Sequence, residues 1–238
     1  MHPSTSASTR PPSGFIQALR LARAGGDVQL GCYVLTTMAM LFRCFGASGL
    51  RERGDRYGPG AFERAKGQAV PRVLAFTKLI EARAYARDTD PRAASRALAA
   101  SEDLLSRSDA SDSGLEPAWI DFYHHARLSA DAAEIFRDLK NPKAALAWNQ
   151  RAAAMPPGVF TRSVGMRLAI VGTAHLQARD LDHGLELGHR SVDILAHVQS
   201  TRAKDYVREF NAALAPWRRE PAVREFVQRT RNELGVAA

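Results

Sequence analysis

Hydrophobic positions recur along most of this chain at helical spacing, as in Leu35, Met38, Ala39 and Phe42, while charged residues fill the positions between them. Sustained two-residue alternation is hard to find, and Pro and Gly gather between the periodic stretches, so helix is the expectation nearly everywhere. The pattern predicts helices over Phe15–Ala24, Val28–Phe45, Val73–Arg87, Arg92–Ser106, Ala118–Leu139, Lys143–Met155, Ser163–Ala178, Asp182–His197, Thr201–Ala215 and Ala222–Leu234. Pro71, Pro91, Pro117, Pro142 and Pro221 stand at or near helix starts, where a missing N–H leaves no intrahelical bond unmade.

A longer period overlies the helical one. Ala82, Ala133 and Gly172 each precede a ring by three positions, the rings being Tyr85, Phe136 and His175. Nine residues after each ring stands another small residue, Ala94, Ala145 or Gly184, and seven further on a third, Ser101, Ala152 or Ser191. Small residues in those places let two antiparallel helices approach closely while the ring fills the space beside them. The windows are 39 to 51 residues long. An earlier window opens with Leu35, Met38, Ala39 and Phe42 and then meets Arg51 where its next small residue belongs, so residues 46–60, with Gly54 and Gly58-Pro59-Gly60, read as an irregular loop. Phe15 to Gly25 carries Ala18, Ala22 and Gly25 at the spacing of a second helix whose first-helix partner is missing. Its apolar residues Phe15, Ile16, Leu19 and Leu21 would then need cover, and a homodimer through this helix is one expectation. The division that results is a disordered segment 1–14, a repeat array 15–197 and capping helices over 198–238.

The spaced small residues and rings, with Pro157 after the second helix of the middle window, resemble the tetratricopeptide repeat. The departures are the window lengths and the presence of His175 and Gly184 where that repeat prefers Tyr and Ala. Ala18-Leu19-Arg20-Leu21-Ala22-Arg23-Ala24-Gly25-Gly26-Asp27, Phe136-Arg137-Asp138-Leu139, and Tyr206-Val207-Arg208-Glu209-Phe210 followed by Pro216-Trp217-Arg218 resemble the C-terminal sensor region of actinobacterial helix-turn-helix regulators of the XRE type, without their DNA-binding domain. These resemblances imply an all-α, right-handed solenoid of antiparallel helix pairs, regulatory in role, that binds a protein or peptide on a concave face lined by first helices; a cytoplasmic location is the expectation from the lack of a spanning run and of a secretory signal. They place Tyr33, Met40, Arg43, Phe76, Leu79, Arg83, Arg87, Arg127, Glu134, Arg137, Met166 and Thr173 there. Arg43, Arg87 and Arg137 would form a ladder able to grip carboxylates in bidentate fashion, with Tyr33 and Phe76 as apolar anchors. Two other readings stay open: a regulator subunit that reaches DNA through a partner or a missing N-terminal domain, and a helical pocket for a small molecule.

Composition narrows the chemistry. The formal charge of +8 raises nucleic acid as a partner, yet Lys and Arg are spread evenly on either side of Trp119 and interleaved with Asp and Glu, which argues against a phosphate-binding surface. No apolar run reaches the ~20 residues that span a bilayer, and Met1 to Gly14 lacks the apolar centre of a secretory signal. Cys32 and Cys44 have no second pair and read as buried thiols. None of the seven His forms a His-x3-His pair, His124 and His125 point to different sides of an expected helix, and His175 reads as a core histidine. No phosphate loop, nucleophile elbow or catalytic carboxylate pair emerges, and Gly25-Gly26 reads as a helix C-cap. The expectation is a non-enzymatic protein with no cofactor and no metal.

Overall fold

A computed structural model describes residues 13–45, 60–110, 116–152 and 161–236, with residues 42–45 and 161 described by backbone alone. Within those limits the chain is all-helical and contains no strand. The helices are α1 (Ser13–Ala24), α2 (Val28–Phe45), α3 (Pro71–Arg87), α4 (Pro91–Ala110), α5 (His125–Asp138), α6 (Pro142–Arg151), α7 (Thr161–Gln177), α8 (Leu181–Leu195), α9 (Thr201–Ala213) and α10 (Pro221–Leu234). A short helical segment covers residues 60–65, and single 3₁₀ turns cover Ala118–Ile120 and Ala215–Trp217. The chain divides into two compact units, Met1–His125 and Ala126–Ala238.

One turn design recurs four times. Gly26, Thr89, Lys140 and Arg179 all lie in the left-handed region, with φ of 66°, 57°, 57° and 66°. Each follows the last turn of one helix and precedes an Asp or Asn that caps the next. Asp27 Oδ1 accepts from the Leu30 N–H at 2.9 Å, Asp90 Oδ1 from Ala93 at 2.9 Å, Asn141 Oδ1 from Ala144 at 3.1 Å and Asp180 Oδ1 from His183 at 3.3 Å. The N–H of the same Asp or Asn reaches back to the carbonyl of Ala22, Tyr85, Phe136 or His175 at 2.9 to 3.0 Å, closing the helix before it. Each turn therefore satisfies end groups of both helices, and at three of the four the joined helices, α1 with α2, α3 with α4 and α7 with α8, pack on each other.

This turn changes the reading of the N-terminus. It joins α1 to α2 in the register it has elsewhere, with Ala22 at the ring position and Gly31 nine residues on, matching Ala94, Ala145 and Gly184. α1 is thus the first helix of a pair with α2, and not an orphan second helix. Phe15 and Leu19 pack with Val34 and Met38 of α2, and of the apolar residues expected to need cover only Ile16 and Leu21 are exposed.

In the first unit α2 packs between α1 and α3, and α3 packs on α4. The α2–α3 contact is polar at its centre: Thr36 and Thr77 hydroxyls meet at 3.0 Å, Thr77 donates to the Val73 carbonyl, and the buried Cys32 thiol lies 3.4 Å from Thr77. Burial pushes the Cys32 thiol up in pKa, and it is a buried thiol, as expected. In the second unit α6 packs on α7 and α7 on α8, α9 covers α7, and α10 closes over α8 and α9. Val192, Leu195, Val207, Phe210, Phe226 and Leu234 form the core there.

The small residues of the sequence windows are buried. Ala82, Ala94, Ala133, Ala145 and Ala152 are at most 2% exposed. Ser101 Oγ donates to the Ala75 carbonyl at 2.7 Å, and Ser191 Oγ donates to the Gly165 carbonyl at 2.8 Å, both reaching from a second helix to the residue 26 positions earlier on the first. Gly184 has a local cause: a Cβ there would stand 2.5 Å from Leu176, whose counterpart beside Ala94 is only Ala86.

The expected helix over Ala118–Leu139 is broken. Ala118–Ile120 forms a 3₁₀ turn, the chain bends, and α5 starts at His125. Ile120 and Tyr123 are fully buried, Tyr123 Oη meets Ser101 Oγ at 2.6 Å, and Arg72 donates to the Tyr123 carbonyl at 3.4 Å. Tertiary contacts hold Tyr123 here, so packing overrides local helix propensity. His124 consequently lies outside the helix in which it was expected, while His125 meets Asp109 at 3.3 Å. Met155 and Pro157 lie outside the described residues.

Candidate functional site: an aromatic face and a charged cleft

The first unit carries an aromatic cluster assembled from three elements. Tyr33 of α2 lies 5.6 Å, centroid to centroid, from Phe76 of α3, and 5.1 Å from Trp119 of the 3₁₀ turn. Phe122 approaches Phe76 edge-on at 5.6 Å, and Tyr123 closes the cluster from beneath at 5.4 Å from Phe76. The arrangement is graded: Tyr123 is fully buried and Phe76 is 7% exposed, whereas Trp119 and Phe122 are 37% and 40% exposed. Tyr33 and Phe76, expected as anchors, are thus brought together. Trp119 and Phe122 are not legible in the sequence as part of this face, because the periodicity predicts a continuous helix through them. Met40 is half-buried, and Arg43 is described by backbone alone. Leu79 is fully buried and Arg83 is only 5% exposed, so neither stands on an open face as expected, while Arg87 is half-buried.

The second unit carries a small cleft of about 60 Å³, lined by Arg127, Asp131, Glu134, Met166, Arg167, Ile170, Arg202 and Tyr206 among others. It unites three residues expected on the first-helix face, Arg127, Glu134 and Met166. Glu134, 3% exposed, accepts from the Tyr206 hydroxyl at 2.7 Å, and Arg127 Nε donates to Asp131 at 2.6 Å. Arg167 donates to the Asn149 side chain and carbonyl and to the Ala152 carbonyl, at 2.7 to 2.8 Å. Those acceptors are neutral, and burial draws the Arg167 pKa below its ordinary value. Thr173 is buried and donates to the Ala169 carbonyl within its own helix, so it takes no part in the cleft.

Arg137 does not stand on an open ladder. Only 3% exposed, it lies 2.8 Å from both Asp138 and Glu209 and 3.7 Å from Glu134, with its guanidinium over the Tyr206 ring. Burial opposes its charge, but Asp138, Glu134 and Glu209 outweigh that and the guanidinium holds its proton more tightly than usual. It ties α5 to α9. The register also separates the expected rungs, since the counterpart of Arg87 is Asp138, whereas those of Arg137 are the core residues Ala86 and Leu176. A third polar group, His175, Asp180 and His183, lies at the α7–α8 turn, outside both surfaces.

No helix of the described residues is long and apolar enough to cross a membrane. Compared with known proteins, the chain matches no family model, no curated protein and no solved structure.

Proposed function

We propose that the protein is a non-enzymatic binding module, a right-handed solenoid of tetratricopeptide-like helix pairs that holds a peptide segment of a partner protein, in the manner of the sensor half of a regulator. The observation that carries this reading is the aromatic face. Trp119 and Phe122 remain more than a third exposed although a bent main chain holds them against Tyr33 and Phe76. Rigid aromatic rings held at a surface bring large contact area with little further ordering on binding, which is how interface anchors work. A peptide offering an apolar side chain suits the face. The test is selection from a displayed peptide library with the full chain, followed by affinity measurement on Trp119→Ala and Phe122→Ala. Selected peptides should lose roughly tenfold or more in affinity with each variant, with unfolding midpoints little changed. Equal affinity for wild type and both variants would overturn the reading.

A small-molecule pocket is the second reading, and one observation favours it. Arg167 lines the cleft with neutral acceptors as its partners, so an anionic group would meet a cation not yet neutralised by a carboxylate. Screening carboxylates by thermal shift, with Arg167→Gln as the control, tests it.

A further inference from the structure

The α7–α8 turn shares its backbone design with the turns of α3–α4 and α5–α6, but two of its side chains differ. Where those turns carry Tyr85, Asp90 and Ala93, or Phe136, Asn141 and Ala144, this one carries His175, Asp180 and His183. The shared geometry sets the ring position of the first helix beside the cap of the second. Histidines at the ring and at the third helical residue therefore converge on the capping carboxylate. His175 Nδ1 lies 3.0 Å from Asp180 Oδ2, His183 Nδ1 lies 2.9 Å from the same oxygen, and the two rings stand 5.5 Å apart at 33°.

We propose that His175, Asp180 and His183 form a binding site for a divalent late transition-metal ion, zinc being the ion its chemistry suits. One ligand atom from each residue falls within 4.8 Å of the other two, and zinc bonds of about 2.0–2.2 Å set ligands roughly 3.3–3.5 Å apart, so side-chain rotation alone closes the site. Two imidazoles and a carboxylate are the donor set of zinc, copper and nickel, not of calcium or magnesium. The turn already supplies orientation. Asp180 Oδ1 is held by the His183 N–H, which leaves Oδ2 facing both rings, and the backbone N–H of Asp180 is fixed to the His175 carbonyl at 3.0 Å. On binding, each imidazole offers a neutral Nδ1 lone pair with its proton on Nε2, and the ion takes the place of the N–H···O contacts to Asp180. His175 is 23% exposed at its side chain, Asp180 36% and His183 67%. Water therefore reaches the ion, and a fourth position stays open for water or for a donor from a partner.

The test uses the untagged full chain, stripped with chelator and titrated with zinc chloride by calorimetry, beside His175→Asn, His183→Asn and the double variant. Wild type should bind one zinc ion at this site, each single variant should bind roughly tenfold or more weakly, and the double variant should lose that class of site. Cobalt should give the visible absorption of a four-coordinate ion in wild type only. Circular dichroism in chelator checks that the variants fold, and Asp180→Asn, which keeps the cap but removes the charge, should weaken zinc without unfolding the turn. Equal zinc binding by wild type and a folded double variant, or no binding by wild type at hundreds of micromolar, would overturn the assignment.

Discussion

Gly188 of α8 is 4 residues past Gly184 and faces two phenylalanines at once. A Cβ added there would stand 2.6 and 2.7 Å from ring atoms of Phe210 and 3.1 Å from Phe226. Carbon atoms rest about 3.5–4.0 Å apart, so a ring would have to retreat by most of an ångström. Neither has room: both are 1% exposed, their centroids are 5.2 Å apart, and Phe226 abuts the His189 ring edge-on at 4.9 Å. Overpacking of this kind costs about 1–3 kcal/mol, while Gly to Ala in a helix returns about 0.8–1 kcal/mol. Gly188→Ala should therefore destabilise by about 1 kcal/mol, measured as a lower urea midpoint at unchanged slope by far-ultraviolet circular dichroism. Gly25→Ala is the internal comparison, because its Cβ would meet nothing nearer than the Leu21 carbonyl at 3.5 Å, and it should be neutral or stabilise by up to about 1 kcal/mol. Adding Phe226→Leu should cost less in the Gly188→Ala background than alone, since it makes room for the methyl. If Gly188→Ala is as stable as wild type or more so, α8 does not approach α9 and α10 as closely as described.

Thr89 is β-branched yet has φ of 57°, so Thr89→Gly should raise the melting temperature, with a gain of about 1 kcal/mol. Tyr206→Phe removes a hydroxyl donated to buried Glu134 and should destabilise by about 1–3 kcal/mol in chemical unfolding. His189 is held below its ordinary pKa by burial and by Arg229, whose Nη1 donates to its Nδ1 at 3.0 Å, against the opposing charges of Asp193, Glu225 and Glu233. Because the unfolded chain binds that proton more readily, this contribution is full above the unfolded pKa of about 6.5 and is lost as pH falls through the lower folded value. His189→Gln should flatten that part of a stability-versus-pH profile, and an unchanged profile would remove His189 from the account.

Helix positions were legible because they follow from local rules. α2 has the boundaries its periodicity predicts, and Pro71, Pro142 and Pro221 each open a helix. The break at residues 121–124 is not legible, since nothing local forbids helix there; the partners that hold Tyr123, Ser101 and Arg72, are distant in sequence. That is why half of the aromatic face, Trp119 and Phe122, escaped notice while Tyr33 and Phe76 did not. Arg137 was misplaced for a different reason. Its proximity to a helix end suggests a solvated or ligand-holding cation, but aligned with Ala86 and Leu176 it occupies a core position, and a charge there is balanced by Asp138 and Glu134 of its own helix and Glu209 of α9.

The same alignment separates what the repeated turn needs from what it leaves free. The left-handed residue and the capping Asp or Asn recur because one backbone path demands them, and the small residue beyond them recurs at a buried packing position. The ring position and the third residue of the second helix answer only to packing at their own turn, and there Tyr85 with Ala93 and Phe136 with Ala144 fill space, whereas His175 with His183 face a carboxylate. A search for paired histidines on one helix misses this arrangement, since the two rings come from different helices, eight residues apart in sequence. They meet only because the turn brings the end of α7 against the start of α8. Chemistry in such a chain is found by asking where one turn departs from its siblings while keeping their backbone, and the α7–α8 turn is the place where donor atoms, and not only packing, change.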